Sequence, residues 1–296
     1  MKILIYGLPK SGTTTLHHRT LEAMQSLPGI SDIAQVYEPV SRHVEADGSV
    51  AYRNGAGTVE PEGDHTLAKA LLPRTASWPG LEPDTALADF DHFDKKVFIH
   101  RDPRDRWVSN CFYRWFHGHN PDPAAFARSL RLTQHKEQHP QDLPFYALFT
   151  MSPVQLAAVQ EDIRAEGARV VGFVEQARKR DWHVLRYEDL IDEETAALHA
   201  YLGFEISENR QVPANFARVA RSKRYGDWRR WFTAEDVEFF QPLHEEVLQL
   251  LGYDANDWQL EELAQLPAAE GSEYMQRLFT PDAPEPKRKW FGRGSS

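Results

Sequence analysis

The stretch Gly7-Leu8-Pro9-Lys10-Ser11-Gly12-Thr13-Thr14-Thr15 collects a cation, several hydroxyls and two glycines in one short turn. Gly7 and Gly12 have the spacing of a nucleotide-binding phosphate loop, yet Thr13 stands where that loop carries its lysine, and Lys10 lies inside the turn. The apolar run Lys2–Tyr6 reads as a buried strand and Thr14–Met24 as a helix, so the turn joins strand to helix. Backbone N–H groups of residues 11–14 can then point into one concavity at a helix N-terminus, where the macrodipole and orphan donors favour an anion. Hydroxyls of Ser11, Thr13, Thr14 and Thr15 add donors, and Lys10 meets the ligand from the loop side. Helix capping alone needs fewer of these groups. The displaced lysine, and the want of an acidic strand for Mg²⁺, argue against an ordinary kinase or ATPase.

Two further constellations suit an anion. Arg101 follows the apolar strand Lys96–His100, where its guanidinium can grip a phosphate bidentately, and Ser109, eight residues on, can add a neutral donor. Asp102 and Asp105 are expected to cap the following helix or to hold Arg104. Farther along, Arg218, Arg221, Lys223, Arg224, Arg229 and Arg230 crowd one segment, opposed within it only by Asp227. The chain as a whole carries a net charge of −10, which argues against general nucleic-acid binding. A basic island in an acidic protein points instead to one compact anionic ligand. The single cysteine, Cys111, excludes an internal disulfide framework and suits a reducing, cytoplasmic setting; within an aromatic helix it reads as a packed thiol. No apolar run reaches the ~20 residues needed to span a bilayer, and the chain enters a strand too early for a signal peptide.

The elements that must position these groups alternate. A second strand, DIAQVYEPV, ends at Glu38-Pro39; residues 45–64 read as a polar loop or irregular hairpin; HTLAKALLP is a third strand stopped by Pro73; residues 74–92 read as connection. After the strand Lys96–His100 and a turn at Asp102-Pro103, a helix starts near Arg104, and helical periodicity covers 123–137 and 153–180. DWHVLRYEDLI is a further strand running into a helix capped near Asp189 or Asp192. Residues 207–232 read as an arginine-rich loop, and a final amphipathic helix begins at Thr233 as N-cap. The expected fold is α/β, with a mostly parallel central sheet covered by helices on both faces. It forms one domain over 1–254, followed by a 255–296 extension whose tail from about 281 is expected to be mobile. Ligands in such sheets sit at the carboxyl ends of the strands, where both sharp turns emerge.

At these residues the chain resembles sulfotransferases that use 3′-phosphoadenosine 5′-phosphosulfate (PAPS), a P-loop-like α/β family. GLPKSGTTT is similar to their 5′-phosphosulfate loop. VFIHRDPRDRWVSNCF resembles their 3′-phosphate segment, with Arg101 and Ser109 on the matching arginine and serine. RSKRYGDWRRWFT resembles their late Arg-Lys-Gly-x-x-Gly-Asp-Trp motif, with Arg221 on its first position and Ser222 and Lys223 replacing Lys-Gly. VLRYEDL resembles their Tyr-Glu-Asp segment, which implies an adenine contact for Tyr187 and structural roles for Glu188 and Asp189. The matches run in order from residue 3 to about 253.

The resemblance implies transfer of a sulfonate from PAPS to a hydroxyl or, second, an amine, leaving 3′,5′-diphosphoadenosine (PAP), with no metal. By analogy with phosphoryl transfer, catalysis is mostly positioning and charge stabilisation. Lys10 would stabilise the leaving 5′-phosphate. Lys69, in LAKALLP, resembles the lysine of a Lys-Thr-His-Leu-Pro segment and would face the sulfonate. Where that segment carries its histidine base, this chain has Leu71, and leucine accepts no proton. Glu38, in VYEPV, resembles the glutamate of the Phe-Glu-Pro segment of carbohydrate sulfotransferases and is the provisional base. Thr15 replaces an adenine-stacking tryptophan of cytosolic members. A hydroxyl-bearing small molecule, carbohydrate, lipid or peptide remains open as acceptor. The rival expectations are a non-catalytic PAPS- or nucleotide-binding protein and a nucleotide kinase with an altered phosphate loop.

Overall fold

A computed structural model describes residues 1–38, 41–44, 50–54, 57–59, 64–72, 82–149, 153–209, 218–222 and 224–280. Its centre is a parallel five-stranded sheet in the order β2-β6-β1-β7-β8, formed by Ile33–Tyr37, His65–Leu71, Lys2–Gly7, Lys95–His100 and His183–Arg186. Strands buried on both faces should read as continuous apolar runs, and β1 shows why. Ile3 and Ile5 face one way, against Leu16, Leu21 and Met24 of α1 (Thr13–Ser26) and Leu198 and Leu202 of α7 (Ala196–Leu202). Leu4 and Tyr6 face the other way, against Leu87 of α2 (Pro83–Ala88), Phe173 and Val174 of α5 (Pro153–Lys179), and Val247 and Leu251 of α9 (Ala234–Leu251). The expected α/β sheet with helices on both faces is what forms.

A third core lies off the sheet and is aromatic. Trp107 and Phe112 of α3 (Pro103–Tyr113), Phe126 of α4 (Pro123–Gln138), Trp228 and Trp231 of α8 (Trp228–Trp231), and Tyr274 of α10 (Ser272–Phe279) pack together in it. Cys111 is buried there, and burial raises its pKa to about 11, which suits a packed thiol. Trp107, Phe112 and Trp115 are core residues too, leaving Tyr113 and Phe116 only partly buried.

Several expectations shift. The region expected as a polar loop or irregular hairpin contributes Val50–Asn54 (β4) and Gly57–Val59 (β5), which join Ser41–Val44 (β3) in a small antiparallel sheet. The expected connection at 74–92 contains α2, and the arginine-rich loop contains α8. The helix after β8, α6 (Tyr187–Ile191), starts directly at Tyr187 rather than near Asp189 or Asp192, with Arg186 as its N-cap residue. Nor is the helix begun by Thr233 the last one: residues 255–280 fold back, ending in α10. The expected mobile tail from 281 lies outside the described residues. Among the described residues no helix is long and apolar enough to cross a membrane.

The connections set the site. The chain leaves β1 through α1 toward β2 on one side of the sheet, and leaves β7 toward β8 on the other. The carboxyl ends of β1 and β7 therefore form the switch point where open α/β sheets bind ligands.

Candidate active site

The turn after β1 is built around two left-handed residues, Lys10 (φ 72°) and Gly12 (φ 89°). Gly12 is the N-cap of α1, and no side chain caps the helix. The helical ladder begins with the Leu16 N–H donating to Gly12 O at 3.0 Å, so the amides before it have no intrahelical acceptor. Gly7 must be glycine because a Cβ would overlap the Ile99 carbonyl on β7. Gly12 must be glycine twice over. Its φ is unsuited to a side chain, and an added Cβ would lie 2.9 Å from Cε2 of Tyr187 and closer still to Cδ2.

Tyr187 thus lies flush against the turn, and the Arg101 guanidinium stacks over its ring at 4.6 Å. Arg101 Nη2 donates to Arg224 O at 2.9 Å and reaches Asp105 at 3.4 Å. Asp105 in turn accepts the N–H groups of Gly226 (2.5 Å) and Trp228 (3.1 Å). The sequence assigned Asp105 to helix capping or Arg104; the structure makes it the clamp between the β7 end and the Gly226-Asp227-Trp228 segment. Asp102 does fill both expected roles, accepting from the Arg104 N–H at 2.8 Å and from its guanidinium. Glu188 is structural as expected: it accepts from Asp102 N–H and from Tyr253 Oη, and burial raises its pKa to about 7. Ser109 is buried on α3 beyond Arg101.

The late basic segment closes the other side. Lys10 Nζ donates to Val219 O at 3.3 Å, so the turn after β1 and residues 218–222 are in direct contact. Much of this segment's charge is already matched. Fully buried Asp227 takes Arg221 Nη2, the Ser222 hydroxyl, Arg224 Nε and Arg230, while Glu270 takes Arg224 and Arg230. Although burial alone would raise the Asp227 pKa, Arg221 and the Ser222 and Arg224 bonds force it well below the carboxylate range. The expectation that the cluster as a whole faces a ligand is therefore corrected, since Asp227 and Glu270 hold several of its cations. Lys223 lies outside the described residues.

On the opposite flank of the α1 N-terminus, the strand ends bring Lys69 and Glu38 together. Tyr37 and Lys69 are register partners, the Glu38 N–H donates to Lys69 O at 2.6 Å, and Lys69 Nζ reaches Glu38 Oε1 at 3.2 Å and Thr14 Oγ1 at 3.4 Å. Lys69 is buried, whereas the Glu38 side chain is 55 % exposed. His65 sits at the amino end of β6 against the Met1 amino group, away from this pair.

Sequence reading missed His17. It is buried three residues after Thr14 on α1, its ring 4.9 Å from Tyr37, with Nε2 unpartnered. Burial first, then the Lys69 and His18 charges, lower its pKa to about 3, so it is neutral. The i, i+3 spacing from Thr14 was the available signal. Tyr274, also missed, flanks Lys10 together with Tyr113, and for Tyr274 no local pattern could have said so.

Four segments, residues 7–15, Glu38 with Lys69, Arg101 with Tyr187, and 218–222 with 224–230, therefore surround one helix N-terminus. Buried polar atoms without partners remain among them: Ser11 Oγ, Arg101 Nε, and Nε and Nη1 of Arg221. Orphaned donors of this kind fit an anionic ligand with charge at both ends. Compared with protein-family models and with curated proteins, the chain matches none.

Proposed function

We propose that the chain is a sulfotransferase that moves a sulfonate from PAPS to an acceptor hydroxyl. What carries the reading is the convergence of the Lys10 turn and Arg101 on one arginine-bearing segment far away in sequence: Lys10 to Val219 O and Arg101 to Arg224 O. When bound, PAPS supplies the sulfonate and an adenosine 3′,5′-diphosphate leaving group. The amides at the start of α1, with Ser11, Thr13, Thr14 and Thr15, hold the 5′-phosphate. Arg101, Ser109 and Arg221 hold the 3′-phosphate, the Ser222 hydroxyl being committed to Asp227, and Tyr187 supports the adenine side. Lys10 neutralises the charge that grows on the leaving phosphate oxygen as the sulfur–oxygen bond breaks. Glu38 takes the proton of the attacking hydroxyl, and Lys69 faces the sulfonate oxygens while fixing Glu38.

Isothermal calorimetry without Mg²⁺ against PAP, AMP and ATP tests the binding half. PAP should bind about 10- to 100-fold more tightly than AMP, the worth of one or two charge-assisted phosphate contacts. Equal affinity for PAP and AMP would remove the assigned role of Arg101, and Mg²⁺-dependent ATP preference would favour a kinase. Incubation with radiolabelled donor and pooled hydroxyl acceptors tests the chemical half. PAP binding with no label transferred to any pool would leave a nucleotide-binding protein.

A further inference from the structure

The segment after α9 touches the catalytic lysine. The Tyr274 hydroxyl of α10 donates its one proton to Val219 O at 2.9 Å, which leaves its oxygen as an acceptor, and Lys10 Nζ points at it from 3.4 Å. Lys10 Nζ also donates to Val219 O at 3.3 Å and lies over the Tyr113 ring, 4.3 Å from its centroid. Among the described residues the ammonium therefore sits against a carbonyl, a phenol oxygen and an aromatic face. Such a cage favours a cation and restricts the four-bond stem that otherwise leaves a lysine mobile.

The cage is held by rigid parts. Tyr274, Met275 and Leu278 are buried in the aromatic core. At the N-terminus of α10, the Ser272 N–H and hydroxyl both donate to buried Glu137 of α4, at 2.5 and 2.6 Å. At its C-terminus, Arg277 donates to the carbonyls of Arg218 and Ala220, while Arg218 donates back to those of Arg277 and Leu278. This reciprocal lacing clamps residues 218–220 to α10 on both sides of Val219. A group on α10 is thereby referenced at once to the lysine and to the 218–222 segment.

We propose that Tyr274 is a positioning residue for Lys10, so that the chain beyond α9 completes the active site instead of merely covering the core. This deepens the sulfotransferase reading and rests on it for the catalytic consequence, although the cage itself does not. The test is Tyr274→Phe, which keeps the ring in the core and removes only the hydroxyl. In the nucleotide-free protein, acetylation of Lys10 by a soluble acylating reagent, followed by peptide mass spectrometry, should rise several-fold in the variant while labelling of a surface lysine such as Lys179 is unchanged. An unchanged Lys10 rate would overturn the proposal. Because this arm uses no nucleotide, it separates failure of the cage from failure of the sulfotransferase assignment, which unselective calorimetry of the unaltered protein would reveal. With donor present, Tyr274→Phe should lower kcat about tenfold, with a smaller change in KM. The same change in a Lys10→Ala background should cost nothing further, because the hydroxyl acts through the lysine. Equal losses in both backgrounds would show a structural role alone and refute the inference, as would faster turnover in the single variant.

Discussion

Lys69 and Glu38 show how little of a side chain's role is set by its pairing distance. The two meet at 3.2 Å, but Glu38 is more than half exposed, and with one partner screened by solvent such a pair contributes only about 1 kcal/mol. An arriving hydroxyl can compete for that carboxylate. A glutamate fixed by a buried lysine and left open to solvent on its other side is suited to receive a proton. Glu38→Gln should therefore slow transfer by about 10²- to 10⁴-fold while leaving PAP affinity within twofold, because nothing assigned to the nucleotide is touched. A fully active Glu38→Gln enzyme would end the base assignment and move it toward neutral His17, on the same helix face as Thr14. Lys10→Ala should also cost orders of magnitude in turnover, but through the leaving group, so donors with a better leaving group should lose less. Calorimetry and initial-rate kinetics on the same preparations separate the two cases.

At the scale of elements, the strand-to-helix turn after β1 is the part most exposed to a small change. Gly12→Ala meets two obstacles: a left-handed φ of 89° and the Tyr187 ring. Each costs about 1–3 kcal/mol, and relief requires Tyr187 to move away from Arg101. The variant should lose several degrees in Tm and most of its PAP affinity; a variant that melts and binds like the parent would show the turn is not the cradle described. This turn, and the one after β7, were legible because an apolar run ends in Gly or Pro and a helical period follows, all within one stretch of chain. The Lys69–Glu38 pair was half legible: the residues could be named, but their meeting depends on β2 and β6 being sheet neighbours. What escaped was set by distance. Residues 255–271 lack a strong local pattern, and the amphipathic run of α10 does not say where it docks, yet Arg229 holds Asp257, the Arg229 carbonyl takes the Glu261 N–H, and the Glu137 carbonyl takes the Leu266 N–H. The charge of the basic segment was misjudged for the same reason, because Glu270 lies 40 residues beyond Arg230.

For the molecule as a whole, burial of ionisable groups predicts an acid weakness with a readable sign. His17, His100 and His244 are buried, and burial is the leading cause that lowers each pKa to about 3; Arg104 and Arg106 add to it at His244. An unfolded histidine titrates near 6.5, so below that pH the unfolded chain binds protons that the folded chain refuses, and stability falls as pH drops from 6.5 toward 3. Glu188, raised to about 7 by burial, works the other way, since its folded form takes up a proton before the unfolded form does. The net slope is therefore smaller than three histidines would give, and a difference measurement is the clean one. His244 serves because it stacks on Phe240, its ring nitrogens have no partner, and it plays no part in the proposed chemistry. His244→Leu should keep its stability near pH 7.5, since no hydrogen bond is lost. Between pH 7 and 5.5 it should lose about 1 kcal/mol less than the parent, the amount one such histidine contributes over that interval. Urea melts of both proteins across that range provide the check. Parallel stability curves would mean that His244 already carries its proton in the folded protein, which a fully buried imidazole beside two arginines should not do.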